Sequence, residues 1–168
     1  RHERESMHVE VEEESVLLDM DTPEAYQSLL KYYDQSGYLE EEKCFELLDR
    51  EKVNPDVIAH GKKVAEVAAM IGIALKQKGC FLNLHQIVCA GLLHDIAKGR
   101  PDHAKAGAAM VLQFLNNPKI AEIVGSHMEL GDRDVTVLDE VALVYLADKL
   151  VRGTKVASLE ERLQATLE

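Results

Sequence analysis

The alternation of apolar and polar residues changes character between the first 35 residues and the rest of the chain. Residues 8–18, HVEVEEESVLL, alternate and include several β-branched side chains, which predicts one or two short strands. Asp21 and Pro23 then mark a helix start, because aspartate can cap a first turn and proline there lacks only an N–H that would be unsatisfied anyway. We therefore predict that residues 1–35 are an N-terminal remnant or linker of strand and helix, partly disordered, and that residues 36–168 are a separate domain.

From residue 38 onward, strand signals almost disappear, and apolar residues recur at the three- and four-residue spacing of a buried helix face. Asn54, Asn83, Asp102 and Asn117 each precede such a stretch and are expected to cap it. The fold class predicted for this region is therefore all-α, a bundle of helices. The predicted helices cover residues 39–49, 54–78, 83–99, 102–115, 117–127 and 138–152, and a last one opens at Ser158.

Five of these predicted helices carry histidine or aspartate within the apolar stripe that should face the interior. In the third helix, GLLHDIAKG places His94 and Asp95 side by side after an apolar run. Burying a carboxylate without a partner costs several kcal/mol or shifts its pKa until it is neutral. The inward-facing set comprises His60, His94, Asp95, His103, His127 and Asp148.

A metal centre inside the bundle is the interpretation that accounts for this whole set. A single histidine on an apolar face is more often a satisfied core residue, but six such side chains on five helices are hard to explain in that way. A divalent cation offsets their burial together, and imidazole with carboxylate suits iron, manganese or zinc rather than calcium. A helical domain with purely structural histidines is the alternative, and it predicts no bound metal. His2, His8 and His85 lie off the inward stripes and are expected at the surface.

Composition limits the classes of partner. The formal net charge of −11 argues against nucleic acid, whose backbone requires clustered basic residues. Cys44, Cys80 and Cys89 are odd in number and show no CxxC spacing, which fits a reducing cytoplasm. Because no apolar run approaches the roughly 18 residues of a membrane span, we expect no membrane partner and a cytoplasmic location.

The order of the candidate residues resembles that of HD-domain metal-dependent phosphohydrolases. The family pattern is a histidine, an adjacent His-Asp pair and a later aspartate, each from a different helix. Here it reads IAHGKKVAE with His60, GLLHDIAKG with His94 and Asp95, and YLADKLVRG with Asp148. The resemblance covers about residues 38–168. It implies an HD-domain helical bundle and an enzyme that uses metal-activated water to hydrolyse a phosphoester or phosphoanhydride of a nucleotide or similar small phosphorylated substrate.

Two further histidines bear on the number of ions. His103, in DHAKAGAAM, and His127, in VGSHMEL, sit where two-metal members of the family carry additional ligands. The context of His103 resembles the branch that includes symmetrical diadenosine tetraphosphate hydrolases. It implies two divalent transition-metal ions, such as iron or manganese, and a one-metal site is the alternative. The ligands would be His60, His94 and Asp148 for one ion and His103 and His127 for the other, with Asp95 bridging them.

Three basic residues are candidates for substrate binding. Lys98 follows the His-Asp pair by one turn and could contact a substrate phosphate, which makes Asp95 and Lys98 the candidate catalytic residues. Arg152 and Lys155 follow Asp148 closely and could attract anions at the mouth of the site. For each of these basic residues a solvated surface role is the alternative.

The segment SVLLDMDTPEAYQSL, residues 15–29, resembles the C-terminal end of nucleotidyltransferases related to the molybdenum-cofactor cytidylyltransferase. Those proteins commonly finish with an Asp-x-Asp-Thr-Pro run after a strand. Since the chain begins at Arg1 rather than Met, we expect the C-terminal part of a fusion to a nucleotidyltransferase domain, with an ordinary strand and capped helix as the alternative. A fusion favours the second functional hypothesis, a non-catalytic metal- or nucleotide-binding regulatory module, which an assay of phosphoester turnover separates from the enzyme.

Overall fold

The structure, a computed structural model, describes residues 38–131, 133 and 138–157. None of the helices in this part of the chain is long and apolar enough to span a membrane. The predicted strands within residues 8–18, the predicted helix start at Asp21 and the helix expected from Ser158 lie outside the described residues. The described elements are α1 (Tyr38–Arg50), α2 (Pro55–Lys76), α3 (Leu84–Leu93), α4 (His103–Leu115), α5 (Pro118–Gly125), α6 (Glu140–Leu150), β1 (Val151–Arg152) and β2 (Lys155–Val156). The predicted all-α fold class is confirmed.

Asparagine side chains begin three of the helices, as predicted. The side chain of Asn54 accepts a hydrogen bond from a first-turn N–H of α2 at 2.8 Å, and Asn83 and Asn117 do the same for α3 and α5 at 3.1 Å. The prediction that Asp102 caps α4 is wrong. Asp102 precedes that helix with a φ of 46°, and its side chain makes no capping hydrogen bond. A capping side chain reaches the first-turn N–H groups from extended backbone, which Asp102 does not have.

The third helix ends earlier than predicted. α3 stops at Leu93, and the chain continues to residue 99 in tight turns instead of helix. The N–H of Lys98 donates to the carbonyl of Asp95 at 2.8 Å, three residues back rather than four. The His94–Asp95 pair therefore lies on a buried turn at the C-terminal end of α3, not within a helix.

The predicted helix over residues 138–152 ends in a small hairpin. α6 covers Glu140–Leu150, after which β1 and β2 pair antiparallel, Val151 with Val156 and Arg152 with Lys155. Gly153 lies in the turn between them with a φ of 63°. Strands of two residues have no periodicity, so the hydrophobic pattern could not distinguish them from a helix end.

α3 is the central helix of the bundle and contacts α1, α2, α5 and α6. Its core side chains, among them Ile87 and Leu93, are fully buried. α2 and α3 approach unusually closely, because Gly91 has no side chain: a Cβ there would lie only 2.7 Å from the Cα of Ala65. This close contact brings the first turns of α2 next to the C-terminal end of α3, where the candidate ligands lie.

Candidate metal centre

The candidate ligands form two groups that share one carboxylate. In the first, ligand atoms of His60, His94 and Asp95 lie within 4.8 Å of one another, and in the second, so do those of Asp95, His103 and His127. Four imidazole rings form a row, since the centroids of His60 and His94, His94 and His127, and His127 and His103 are each 5.1 Å apart. Side chains from α2, α4, the turn after α3 and the turn after α5 thus meet at one place.

Asp148, near the end of α6, belongs to the first group. Its Oδ1 lies 3.1 Å from Nε2 of His60 and 3.5 Å from Nε2 of His94. All six side chains that the sequence analysis selected are therefore brought together by the fold. Their binding of metal stays a prediction at this point.

The two oxygens of Asp95 face different groups. Oδ2 lies 3.7 Å from Nε2 of His94, while Oδ1 lies 3.4 Å from Nε2 of His103 and 3.7 Å from Nε2 of His127. A carboxylate placed in this way can ligate an ion on each side. Its geometry agrees with the bridging role that the resemblance implied.

Three of the histidines have their outer ring nitrogen fixed by a backbone carbonyl. Nδ1 of His60 donates to the carbonyl of Gly153 at 2.8 Å, Nδ1 of His94 to that of Gly91 at 2.8 Å, and Nδ1 of His127 to that of Val124 at 2.7 Å. A carbonyl only accepts, so the proton is on Nδ1 and the lone pair of the neutral ring is on Nε2. Histidine ligands of metals are held in this way, with the second nitrogen donating to a carbonyl or carboxylate.

His94 has a buried polar atom that no hydrogen bond from the described residues satisfies. This side chain is fully buried, and its Nε2 has no hydrogen-bond partner in the described part of the chain. A buried polar atom without a partner costs about 1–3 kcal/mol. On the other side of Asp95, Nε2 of His103 and Nε2 of His127 face each other at 3.2 Å, although both point towards the same carboxylate. Divalent cations that accept nitrogen and oxygen ligands fit both arrangements.

The carboxylates of the site are ionised. Burial by itself raises the pKa of Asp95, but interactions with His127 and Lys98 outweigh it and hold that pKa well below its usual range. Burial likewise raises the pKa of Asp148, and interactions with His60 and His94 outweigh it in the same direction. The hydrogen bond to Asp148 in turn raises the pKa of His60. The site therefore offers negative charge that a cation can neutralise.

The second group is the more open of the two. The side chain of His103 is 26% exposed, whereas the most exposed side chain of the first group, that of Asp148, is 15% exposed. A cavity of about 390 Å³ adjoins His103, and its walls include Lys105, Met128 and Glu129. A larger cavity of about 830 Å³ lies between the end of α2 and the start of α3, and none of the six candidate ligands lines it. The cavity beside His103 therefore gives solvent access to the second group.

The candidate substrate-binding residues lie at different positions around the site. Nζ of Lys98 donates to Oδ2 of Asp95 at 2.5 Å, and the rest of this side chain is more than half exposed. Arg152 and Lys155 are exposed partners on the β1–β2 hairpin, whose turn contacts His60 through Gly153. Lys98 is thus in direct contact with the candidate centre, and the other two are on the element next to it.

One histidine outside the centre differs from the sequence analysis, and one backbone group of the centre was missed by it. His85 is not a surface residue: it is half-buried on α3, with Nε2 3.2 Å from Sγ of Cys89. The neighbouring thiol of Cys44 and burial raise the pKa of Cys89, so this thiol stays protonated. The carbonyl of Gly153 was missed because backbone acceptors leave no mark in a sequence. Only the glycine itself hinted at a turn.

Comparison with known proteins agrees with this geometry. A family model described as HD domain matches residues 57–153, more than half of the chain. The chain belongs to the HD-domain family, whose members are typically metal-dependent phosphohydrolases, and the predicted family is confirmed for this region.

Among individual relatives, the chain is 26% identical over 139 residues to the uncharacterized protein MJ0778 of Methanocaldococcus jannaschii. This alignment covers 73% of this chain and 82% of that protein. It is 33% identical over 104 residues to ribonuclease Y of Geotalea uraniireducens, and equally so to ribonuclease Y of Geobacter metallireducens. These alignments cover 59% of this chain and only 19% of each ribonuclease Y. No solved structure matches the chain.

Proposed function

We propose that this HD domain is a metal-dependent phosphohydrolase that cleaves a phosphoester or phosphoanhydride of a nucleotide or similar small phosphorylated substrate. The observation that carries the proposal is the pair of ligand groups joined by Asp95, with the Nε2 of His94 buried in the first group without a hydrogen-bond partner among the described residues. An imidazole and carboxylate set of this kind is costly to bury without cations.

The proposed cofactor is a pair of divalent transition-metal ions such as iron or manganese. His60, His94 and Asp148 would hold one ion and His103 and His127 the other, with Asp95 between them. Bound ions at such a centre supply Lewis-acid polarisation of a phosphoryl oxygen and a nucleophilic water at neutral pH. No side-chain nucleophile is needed in such a reaction.

The chain's own contribution is charge and orientation. The two oxygens of Asp95 face one ligand group each. Lys98 donates to Oδ2 of Asp95, while more than half of the Lys98 side chain is exposed. The ammonium of Lys98 would contact a substrate phosphate while it keeps its hydrogen bond to Asp95. Arg152 and Lys155 would attract anions from the hairpin side. The cavity of about 390 Å³ beside His103 would take the remainder of the substrate, since its volume is in the range of small-molecule sites.

Small substrates are preferred over nucleic acid in this proposal. The name of the ribonuclease Y relatives refers to activity on RNA, but the chain spans only about a fifth of the length of those proteins. A net charge of −11 repels a polyanion and leaves a small phosphate ester, held by ions and by Lys98, as the better fit. With no membrane partner proposed and three unpaired cysteines, a cytoplasmic location is proposed as well.

The fusion to a nucleotidyltransferase domain stays a prediction. The HD-domain match begins at residue 57, and none of the relatives described above bears the name of a nucleotidyltransferase. The alternative function, a regulatory module that binds metal or nucleotide without turnover, is separated from the enzyme by the experiment that follows.

The test is metal content and turnover, measured on protein purified anaerobically without chelator. We expect two equivalents of iron or manganese and metal-dependent hydrolysis within a panel of nucleotides and phosphoesters. His103→Ala should reduce the content towards one equivalent, whereas His85→Ala, a half-buried histidine away from the centre, should leave it at two. Two equivalents without turnover would favour the regulatory module. Absence of metal after reconstitution would contradict the proposal.

A further inference from the structure

Two of the three fixed histidines are held by their own turn of the chain, and the third is not. Nδ1 of His94 and Nδ1 of His127 each donate to the carbonyl three residues earlier, Gly91 and Val124. Their orientation is therefore set wherever the local helix end forms. Nδ1 of His60 donates instead to Gly153, 93 residues further along the chain.

One short segment holds both nitrogens of the His60 ring. Asp148, near the end of α6, contacts Nε2 at 3.1 Å, and Gly153, in the hairpin turn, accepts from Nδ1 at 2.8 Å. The segment is anchored on both sides of the turn. Val151 is buried and β1 contacts α2, while the N–H of Ala157 donates to the carbonyl of Leu150 at 2.8 Å.

We infer that the β1–β2 hairpin is a positioning element for the first ion site, acting through the Gly153 carbonyl. This inference rests on the proposed metal centre. The carbonyl keeps a proton on Nδ1 of His60, which leaves Nε2 as the ring nitrogen available to an ion, and it fixes the plane of the ring so that Nε2 points at Asp148. The second group, Asp95, His103 and His127, has no such dependence in the described structure. The two ion sites therefore respond differently to a change in the hairpin.

The backbone of Gly153 makes this dependence testable. Its φ of 63° is in the left-handed region, where glycine has no penalty, asparagine a small one and a β-branched residue a large one. Gly131 offers a matched control, with a φ of 61°. A Cβ at either position would meet no atom within 4 Å, so the strain in the two valine variants is the same and no packing clash is added.

The experiment compares Gly153→Val, Gly153→Asn and Gly131→Val, each titrated with Mn²⁺ and examined metal-free by NMR of the histidine ring N–H groups. In Gly153→Val we expect the first-site affinity to fall about 10- to 100-fold, the usual effect of losing a partner of a metal ligand, and the second site to change less than about threefold. The signal of the hydrogen-bonded Nδ1–H of His60 should disappear from the metal-free spectrum. Gly153→Asn and Gly131→Val should keep both the affinity and the signal.

The inference is overturned if Gly153→Val keeps the His60 Nδ1–H signal and both affinities. It is also overturned if Gly131→Val causes the same losses, because the effect would then be general strain. If the parent protein binds no Mn²⁺, the proposed metal centre fails, and the spectrum alone still decides whether the hairpin holds the Nδ1 proton of His60.

Discussion

The close approach of α2 and α3 at Gly91 is a sensitive point for both stability and the site. A Cβ added there would lie 2.7 Å from Cα and 2.9 Å from N of Ala65, where carbon atoms in contact normally keep about 3.5 Å or more. The neighbouring atoms are backbone and cannot rotate away. Gly91→Ala therefore requires the two helices to separate locally by a sizeable fraction of an ångström.

The net effect of Gly91→Ala follows from two opposing contributions. Replacing glycine by alanine inside a helix stabilises it by up to about 1 kcal/mol. Overpacking a tight interface costs about 1–3 kcal/mol. Since relaxation must move backbone, we expect the upper part of that cost and a net loss of about 1–2 kcal/mol in the free energy of unfolding. Separation of α2 from α3 also separates His60 from His94, so affinity at the first ion site should fall.

Gly72→Ala, also within the α2–α3 contact, is the matched control. A Cβ there would also lie 2.7 Å from its nearest neighbour, but that atom is Cδ2 of Leu84, the end of a flexible side chain. Urea unfolding of the metal-free proteins, followed by circular dichroism, should show Gly72→Ala equal to or more stable than the parent and Gly91→Ala less stable. Equal stability of the two variants would refute the argument from backbone contact.

Three further outcomes are expected. The folded-state pKa values of Asp95 and Asp148 are held low, so their contribution to stability is complete above the ordinary aspartate pKa of about 3.9 and is lost as the pH falls towards the folded values. The urea midpoint of the metal-free protein should therefore decrease from pH 5 to pH 3, and a flat profile would contradict this. Mn²⁺ at 100 times its dissociation constant should stabilise the fold by about 2.7 kcal/mol and raise Tm by about 5–10 °C, an effect that excess chelator reverses; an unchanged Tm would argue against the centre. Lys98→Gln should raise the KM for a phosphoester about tenfold with metal content unchanged, because one charge-assisted contact to phosphate is lost. An unchanged KM would mean that Lys98 interacts with Asp95 and not with the substrate.

The sequence was informative where a residue type has one local physical role. Asn54, Asn83 and Asn117 predicted helix starts because a short polar side chain there satisfies first-turn N–H groups. Buried histidines and aspartates on apolar stripes predicted a common meeting point because isolated burial is costly, and the fold brings all six together.

What the sequence could not show depends on backbone geometry. The end of α3 at Leu93 and the left-handed φ of Asp102 are decided by tertiary packing, which competes with local propensity and has no periodic signature. The same is true of Gly153: its carbonyl matters because the chain folds back to His60, and that proximity is a long-range fact.

The unequal charge of the two ligand groups has a consequence for the order in which ions load. The first group contains two carboxylates, Asp148 and the shared Asp95. Among the described residues, the second group contains one carboxylate, which is the shared Asp95. A cation bound first beside Asp148 would draw on the charge of Asp95 and would repel a second cation across it. The His103 side should therefore fill last and empty first. On the proposed two-ion centre, a one-ion and a two-ion form would be the same protein at different metal concentrations, and dialysis alone would convert one into the other.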